Sequence, residues 1–309
     1  MKKEGEDANL IHIVCAADVH YGSYAGIMLS SVLAHNEPRN IHCHLFDDGI
    51  ARKDLDRMTS MMRAAGANFS VYSMTEVLDR QPGVLQQMAH YTRAAFGRLF
   101  IAEILPETVN RVIYFDCDMI CLSDLEELWR VDAEILGAVR DEWIDNNGYH
   151  KESISLPVNA KYYNSGLLLM NLKEWRRRGF SETIITYLGS TPRALYPDQD
   201  ALNSLLWSEI TELPTKWNVF ISSPAQGQAV KNLRLAANIH YCAGFKPWHI
   251  GYAWFYPASA EYRQAKATSP WKWKMPDFHI GRAKRKLKVS SGRWLLPHGH
   301  ANKLRVKDT

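Results

Sequence analysis

Apolar residues along this chain fall into two alternating kinds of run. Short, near-continuous stretches end at polar or glycine residues. Between them, apolar positions recur every three or four residues. Leu10 to Ala17 is the first short run and closes at Asp18; Gly22 and Gly26 flank the turn after it, and Ile27, Leu29, Val32 and Leu33 form a helical stripe. Ile41 to Phe46 is a second strand, closed by Asp47-Asp48-Gly49. Residues 51–65 are helical and stop before Gly66, and Phe69 to Tyr72 is a third strand. Strands alternating with helices imply a mostly parallel sheet with helices on both faces, an α/β fold.

The same alternation continues. Residues 94–105 carry Phe96, Leu99, Phe100 and Ile104 on one helical stripe, and Pro106 stops it. Arg98 lies off that stripe, where a solvated helix arginine and a functional one are equally open readings. Val112 to Phe115 is the central strand. A short helix follows from Ser123 through Trp129, with Glu126 completing a capping box. Ile135 to Val139 is another strand, ending at Arg140-Asp141. The polar segment from Glu142 to Ala160 has little periodicity and reads as a mobile loop. Leu167 to Met170 is apolar, and Asn171 to Leu188 reads as one helix with a basic face at Arg176, Arg177 and Arg178. Pro197 opens a helix through Leu206, with Asp198 as a candidate N-cap. Asn238 to Tyr241 is a late strand.

Composition narrows the class. The chain has 309 residues, 46% hydrophobic and 23% charged, enough for one large domain or two smaller ones. No apolar run approaches the roughly 20 residues of a membrane helix. Met1 to Asn9 is too acidic for a signal peptide, so a cytosolic placement is expected. The five cysteines, Cys15, Cys43, Cys117, Cys121 and Cys242, are odd in number and several sit in apolar runs, which fits buried free thiols. Charge is uneven. Residues 259–309 carry 13 Lys or Arg against 3 Asp or Glu, while the remainder is mildly acidic. Seven of the ten tryptophans lie at or beyond Trp207, so the basic tail is interleaved with Trp271, Trp273 and Trp294. A basic tail on a mildly acidic body points to an anionic partner: a membrane surface, nucleic acid or acidic glycolipid.

The sharpest chemistry sits at Arg111-Val-Ile-Tyr-Phe-Asp-Cys-Asp. An apolar strand there ends in Asp116 and Asp118, one residue apart, and positions i and i+2 of a strand share a face. Open α/β sheets bind ligands at the carboxyl ends of their strands. Paired hard oxygens there suit Mg²⁺ or Mn²⁺ held against a diphosphate. Taken alone, such a pair is also what an ordinary solvated turn looks like. A calcium loop is not encoded, because Ile120 and Cys121 occupy its ligand and glycine positions. No G-x-G-x-x-G dinucleotide fingerprint follows the first strand.

Several segments complete a pattern in order. They are Ala16-Ala17-Asp18-Val19-His20-Tyr21, Arg98-Leu99, Tyr114-Phe115-Asp116-Cys117-Asp118, Tyr163-Asn164-Ser165-Gly166, Asp198-Gln199-Asp200 and His240-Tyr241-Cys242 with Lys246-Pro247-Trp248. This ordered set resembles the retaining hexosyltransferases of glycosyltransferase family eight, of the bacterial lipopolysaccharide galactosyl- and glucosyltransferase type. The resemblance implies a single glycosyltransferase A type α/β domain with a mixed central sheet over residues 1–258. Residues 259–309 are then a membrane-associating tail, and the enzyme is cytoplasmic and peripheral on the inner face of the membrane.

By position, the resemblance assigns Asp116, Asp118 and His240 as ligands of Mn²⁺, with Mg²⁺ as the alternative. Ala16, Asp18 and Tyr21 would hold the uracil and ribose of a UDP-hexose. Arg98, Asp141, Asn164, Asp198 and Gln199 would surround the donor hexose, with Cys117 and Ser165 in the same donor-binding set. Lys246 would pair with a diphosphate oxygen. Gln199, Asp198 and Asp141 are the catalytic candidates, and His90 lies where the family places an acceptor-side histidine. His20 stands where the family pattern has Asn, and Ala243 where it has Gly. The implied partners are a UDP-sugar, a glycan or lipid-linked oligosaccharide acceptor and an anionic membrane; no nucleic-acid motif is present. A nucleotidyltransferase and a non-catalytic sugar-binding protein are the rival readings.

Overall fold

The computed structural model describes residues 10–75, 79, 93–190, 195–221, 233–254, 256 and 258–278. The first apolar run is β1 (Ile11–Asp18), followed by α1 (Gly22–His35), β2 (Ile41–Asp48), α2 (Arg52–Ala65) and β3 (Asn68–Ser73). Gly22 and Gly26 belong to α1 rather than to the turn before it, which is residues 19–21. They are helical because they are packing positions: a Cβ at residue 26 would lie 2.1 Å from the Trp271 ring. α2 ends as its sequence demands, with Gly66 at φ +79 and its amide closing onto Met62 and Arg63.

The region after residue 92 departs from one regular helix. Residues Arg93–Phe100 form a 3-10 helix, and only α3 (Ile101–Ile104) is α-helical. Gly97 lets this tight segment press on β1, since a Cβ there would sit 2.8 Å from that of Ala16. β4 (Arg111–Phe115), β5 (Met119–Cys121) and α4 (Glu126–Trp129) follow. α4 begins at Leu125 without a side-chain cap; Asp124, not Ser123, accepts the Glu126 amide, at 2.6 Å.

β6 (Leu136–Arg140) leads into the polar segment that its composition marked as a loop. It instead holds α5 (Glu142–Asp145) and α6 (Gly148–Ser153). Its buried polar residues are paired. Lys151 Nζ lies 3.1 Å from Asp145, and His150 Nε2 lies 2.8 Å from the fully buried Asp200. Ile144, Ile154, Leu156, Ala160 and Tyr162 close a small core beneath them.

β7 (Tyr163–Asn171) is next, then α7 (Leu172–Arg177) and α8 (Phe180–Ser190). The expected single helix is broken at Gly179, whose φ of +63 reverses the backbone. Of the expected basic face, Arg176 turns inward and donates to the carbonyls of Ala102, Leu105 and Val109. α9 (Pro197–Leu206) starts at its proline, with Tyr196 rather than Asp198 at the cap. β8 (Ile210–Leu213), β9 (Val219–Phe220), β10 (Asn238–His240) and α10 (Ser259–Thr268) complete the described elements.

The strands form a seven-stranded mixed sheet in the order β3-β2-β1-β4-β7-β6-β8 and a smaller one in the order β5-β10-β9. β1, β2, β3 and β4 are parallel, while β7 runs antiparallel to both β4 and β6. One large apolar cluster covers each face of the main sheet. From β1 the chain proceeds outward to β3, then returns to place β4 on the other side of β1. The crevice at the carboxyl ends of β1 and β4 is therefore a topological switch point, where α/β sheets hold ligands. Among the described residues no helix is long and apolar enough to cross a membrane.

The segment after residue 258 packs onto this body. α10 lies against α1. Trp271 is 1% exposed, fills the space over Gly26 and donates its indole N–H to Asp54 Oδ1 at 2.7 Å. Residues 279–309 lie outside the described residues. Trp271→Ala should lower the unfolding free energy by about 3–5 kcal/mol in urea denaturation, the usual loss for a buried aromatic. A loss below about 0.5 kcal/mol, as for an ordinary surface change, would show that this tryptophan does not hold the C-terminal segment to the body.

Candidate active site

Asp116, Cys117 and Asp118 form the turn between β4 and β5, at the switch point. Both ends of the turn are pinned by backbone. The Asp116 amide donates to Gly166 O at 2.8 Å, and Asp118 O accepts from the Tyr241 amide at 2.9 Å. β10 pairs antiparallel with β5 so that His240 faces Met119, one residue from Asp118. β7 pairs antiparallel with β4, Leu167 opposite Phe115, which brings Asn164, Ser165 and Gly166 beside the acids.

Three donor groups converge there. His240 Nε2 lies 3.2 Å from Asp118 Oδ1 and 3.8 Å from Asp116 Oδ2. Single ligand atoms of all three residues lie within 4.8 Å of one another. His240 Nδ1 is held by Asn218 Oδ1 at 3.1 Å, which fixes the tautomer and turns Nε2 to the carboxylates. Gly166 gives the ring its room: a Cβ at that position would lie 2.3 Å from His240 Cε1. Two carboxylates, one oriented imidazole and a glycine cradle fit a divalent cation.

Cations of the chain bracket the acids. Arg98 is 6% exposed, not solvated. Its guanidinium reaches Asp116 at 2.7 Å, Asp198 at 3.2 Å and the Ser165 carbonyl at 2.7 Å. The 3-10 turn aims it inward, where a regular helix would have placed it elsewhere. Lys246 Nζ bonds Asp118 Oδ2 at 2.6 Å and the Tyr241 carbonyl at 2.7 Å. Burial pushes the Asp116 carboxyl up, and Arg98 only partly offsets this. Burial also opposes the charge of Asp118, but Lys246 and His240 outweigh it and hold that carboxyl below the usual range. Burial opposes the charge of Arg98 as well, and Asp116 and Asp198 more than restore it.

The remaining candidates divide into three groups. Asn164, Ser165, Asp198 and Gln199 form one buried network with Arg98. Gln199 Oε1 accepts from Asn164 Nδ2 and from the Ser165 amide, both at 3.0 Å, and Ser165 Oγ donates to Asp198 at 2.8 Å. Asp141 joins its edge: it caps α5, bonds Asn164, and burial raises its carboxyl despite those bonds. Ala16, Asp18, His20 and Tyr21 stand across the crevice at the end of β1. Ala16 O receives the Cys117 thiol at 3.0 Å, and Asp18 Oδ1 accepts the His20 and Tyr21 amides at 2.8 and 3.0 Å. His20 itself is exposed. Ala243 lies on the loop after His240, its amide on Ile221 O at 3.3 Å, and a Cβ at the following Gly244 would meet open space. His90 lies outside the described residues. Cys15, Cys43, Cys117 and Cys121 are buried free thiols, whereas Cys242 is exposed.

Four contributors had no role in the sequence reading. Tyr114 donates its hydroxyl to Asp116 at 2.8 Å. Asn218 orients His240 and also bonds Asn164 Oδ1 at 3.0 Å. Asn203 ties α9 to β7 through the Tyr163 backbone. Trp248 stacks on Tyr24 at 3.8 Å and meets Tyr21 edge-on at 5.8 Å. For Tyr114, the i, i+2 spacing to Asp116 was a usable signal. For Asn218 and Asn203 no local pattern exists.

The fold and the site define an α/β protein with a ligand crevice at its switch point and a place for a divalent cation. A family model, Glycosyl transferase family 8, matches residues 12–250, and the chain belongs to that family. The protein is therefore a glycosyltransferase with a glycosyltransferase A type fold. Its family uses UDP-sugar donors and a divalent metal. This membership sets aside the nucleotidyltransferase and the non-catalytic sugar-binding readings. The chain is 27% identical to General stress protein A of Bacillus subtilis (strain 168) over 259 residues, covering 78% of this chain and 88% of that one. It is 29% identical to the lipopolysaccharide glucosyltransferase WaaO of Escherichia coli (strain K12) over 280 residues, covering 86% and 81%. Among solved structures it resembles galactosyltransferase LgtC in complex with donor and acceptor sugar analogs, with TM-score 0.69, 23% identity and coverage of 84% and 96%.

Gly166→Ala should push the His240 ring off the acids. Its affinity for Mn²⁺ in the presence of UDP should fall at least about tenfold by calorimetry, the scale of a lost orienting contact. Unchanged affinity would mean that the ring does not take part in holding the cation.

Proposed function

We propose that this protein is a retaining hexosyltransferase. It moves galactose or glucose from a UDP-sugar to a sugar hydroxyl of lipopolysaccharide or another lipid-linked glycan, with Mn²⁺ bound. The observation that carries this reading is the triad of Asp116, Asp118 and His240, bracketed by Arg98 and Lys246 at the switch point. An imidazole beside two carboxylates favours Mn²⁺ over Mg²⁺, which prefers oxygen ligands alone. Lipopolysaccharide as the acceptor class is supported by the likeness to WaaO.

The cation, when bound, supplies charge neutralisation at the departing diphosphate. The chain's own groups do the rest. Lys246, already charged and held on Asp118, is placed to take a diphosphate oxygen as a point charge. Tyr21 offers a ring face to the uracil, and Asp18 an acceptor for the base N–H. Arg98 fixes Asp198 and Ser165, so the network around the hexose is set before the sugar arrives.

Retention by double displacement needs a nucleophile opposite the leaving group. Gln199 is poorly suited to that role. Its carbonyl oxygen is committed to two donors, and an amide is a weak nucleophile. Asp198, the alternative, is engaged by Arg98 and Ser165. We therefore favour front-side attack, in which the departing phosphate accepts the acceptor's proton. Gln199 then orders Asn164 and Ser165 beside an oxocarbenium-like centre. Asp141, its carboxyl raised by burial, stands beside Asn164 on the donor side.

A panel of UDP-sugars with Mn²⁺, scored by UDP release, tests the reading. UDP-galactose or UDP-glucose should be turned over, and chelation should stop it. Asp116→Asn, Asp118→Asn and His240→Ala should each weaken Mn²⁺-dependent UDP binding at least about tenfold. Gln199→Ala should keep measurable turnover. Equal UDP binding by all three variants with and without Mn²⁺ would show the metal site misassigned. Complete inactivity of Gln199→Ala with normal UDP binding would argue for covalent chemistry at that position.

The acceptor reading includes contact with the membrane through the segment from residue 259. Support comes from exposed Trp273, Met275 and Phe278, interspersed with Lys272 and Lys274. Interfacial tryptophans and lysines suit an anionic leaflet, each basic residue contributing about 1 kcal/mol. Deleting residues 282–309, which lie beyond the described ones, should release the protein from anionic vesicles while sparing UDP-sugar hydrolysis. Undiminished vesicle binding would remove the tail from the account.

A further inference from the structure

A second group of metal-ligating side chains lies at the far end of the sheet. The second residues of β1 and β2 are histidines in register, His12 beside His42, and His44 follows two residues later. The period of two puts His42 and His44 on one face, the same face as His12. From His12 to Asp18 the strand rises about 20 Å, at roughly 3.3 Å per residue, so this group is remote from Asp116 and Asp118.

The three rings form a stack. The centroids of His42 and His44 lie 4.0 Å apart, and those of His12 and His44 lie 5.2 Å apart. His12 Nδ1 is 2.9 Å from His44 Nε2. One ring nitrogen from each of the three lies within 4.8 Å of the others. The neighbouring strand holds the rings in place through hydroxyls. Ser70 Oγ is 2.9 Å from His42 Nε2, and Tyr72 OH is 3.2 Å from His44 Nδ1. An oxygen partner on one nitrogen, with the other turned to a shared centre, is how ligating histidines are oriented. Tyr72 does this for His44, whose Nε2 faces His12. His44 is buried, while His12 and His42 are half-buried and leave a path for an ion.

We propose that His12, His42 and His44 form a second metal site that takes a borderline cation of the Zn²⁺ type, with water completing the coordination. Three imidazoles and no carboxylate select Zn²⁺, Co²⁺, Ni²⁺ or Cu²⁺ over Mg²⁺ and Mn²⁺, so the two sites on this chain discriminate between cations by ligand type. Zn–N bonds of about 2.0–2.1 Å in a tetrahedron place ligand nitrogens about 3.3 Å apart. The His12–His44 pair, at 2.9 Å, needs to open by only a few tenths of an ångström. A cation there cross-links β1 to β2 at their amino ends and stiffens the edge of the sheet, away from the acids. The site does not depend on which sugar the enzyme transfers.

The test uses the full chain carrying Asp116→Asn and Asp118→Asn, so that the first site is silenced. Calorimetry with Zn²⁺ alone should give one ion per chain, and Co²⁺ should give the intense visible bands of tetrahedral coordination. Adding His12→Gln or His42→Gln, both at half-buried positions, should weaken Zn²⁺ at least about tenfold and abolish the visible bands. The metal-free melting temperature of each histidine variant reports whether it is folded. Loss of binding in a variant that melts like its parent supports the site. Equal Zn²⁺ affinity in the parent and both histidine variants, or no Zn²⁺ bound by the parent, overturns it.

Discussion

The structure turns on keeping two carboxylates charged and close together at the edge of a hydrophobic core. Asp116 and Asp118 project from one strand end, above a sheet whose faces are almost wholly apolar. Taking a carboxylate out of water costs several kcal/mol, and two near each other cost more. Arg98, Lys246 and His240 supply the compensation, each from a different element. Without ligand the acids are satisfied by the protein's own cations. A divalent ion and a diphosphate bring their own opposite charges to the same place.

That constraint explains much of the surrounding architecture. The 3-10 turn at Arg93–Phe100 exists where a buried guanidinium must reach both Asp116 and Asp198. The antiparallel insertion of β7 beside β4 delivers Asn164, Ser165 and Gly166 to the acids, and the small sheet of β5, β10 and β9 delivers His240 with Asn218 behind it. The 142–160 segment is clamped to α9 through His150 and Asp200, so it is held in place by paired polar groups. Each element near the crevice is placed by a polar bond that would be costly to leave unmade.

How far the sequence could be read depended on range. β1, β2 and β4 were legible because a strand buried on both faces writes itself as an apolar run. The Asp116–Asp118 pair was legible because a strand's period is two. His240 and Lys246 were reached only through the ordered family pattern, since they lie more than a hundred residues from the acids they touch. The burial of Arg98 was not legible in the helical stripe, because Gly97 permits a tighter turn there. The 142–160 segment misled for a related reason: its buried Asp145, His150 and Lys151 are paired, and composition cannot distinguish a paired His150 from a solvated one. Asn218 left no trace, because its role exists only once β9 lies beside β10.

A crystal grown with UDP and Mn²⁺, with diffraction recorded at the manganese absorption edge, addresses the central claim most directly. The account predicts one anomalous peak among the side chains of Asp116, Asp118 and His240, in contact with the diphosphate, and Lys246 turned from Asp118 towards the nucleotide. A UDP molecule bound in the crevice with no anomalous signal between those three side chains would contradict it.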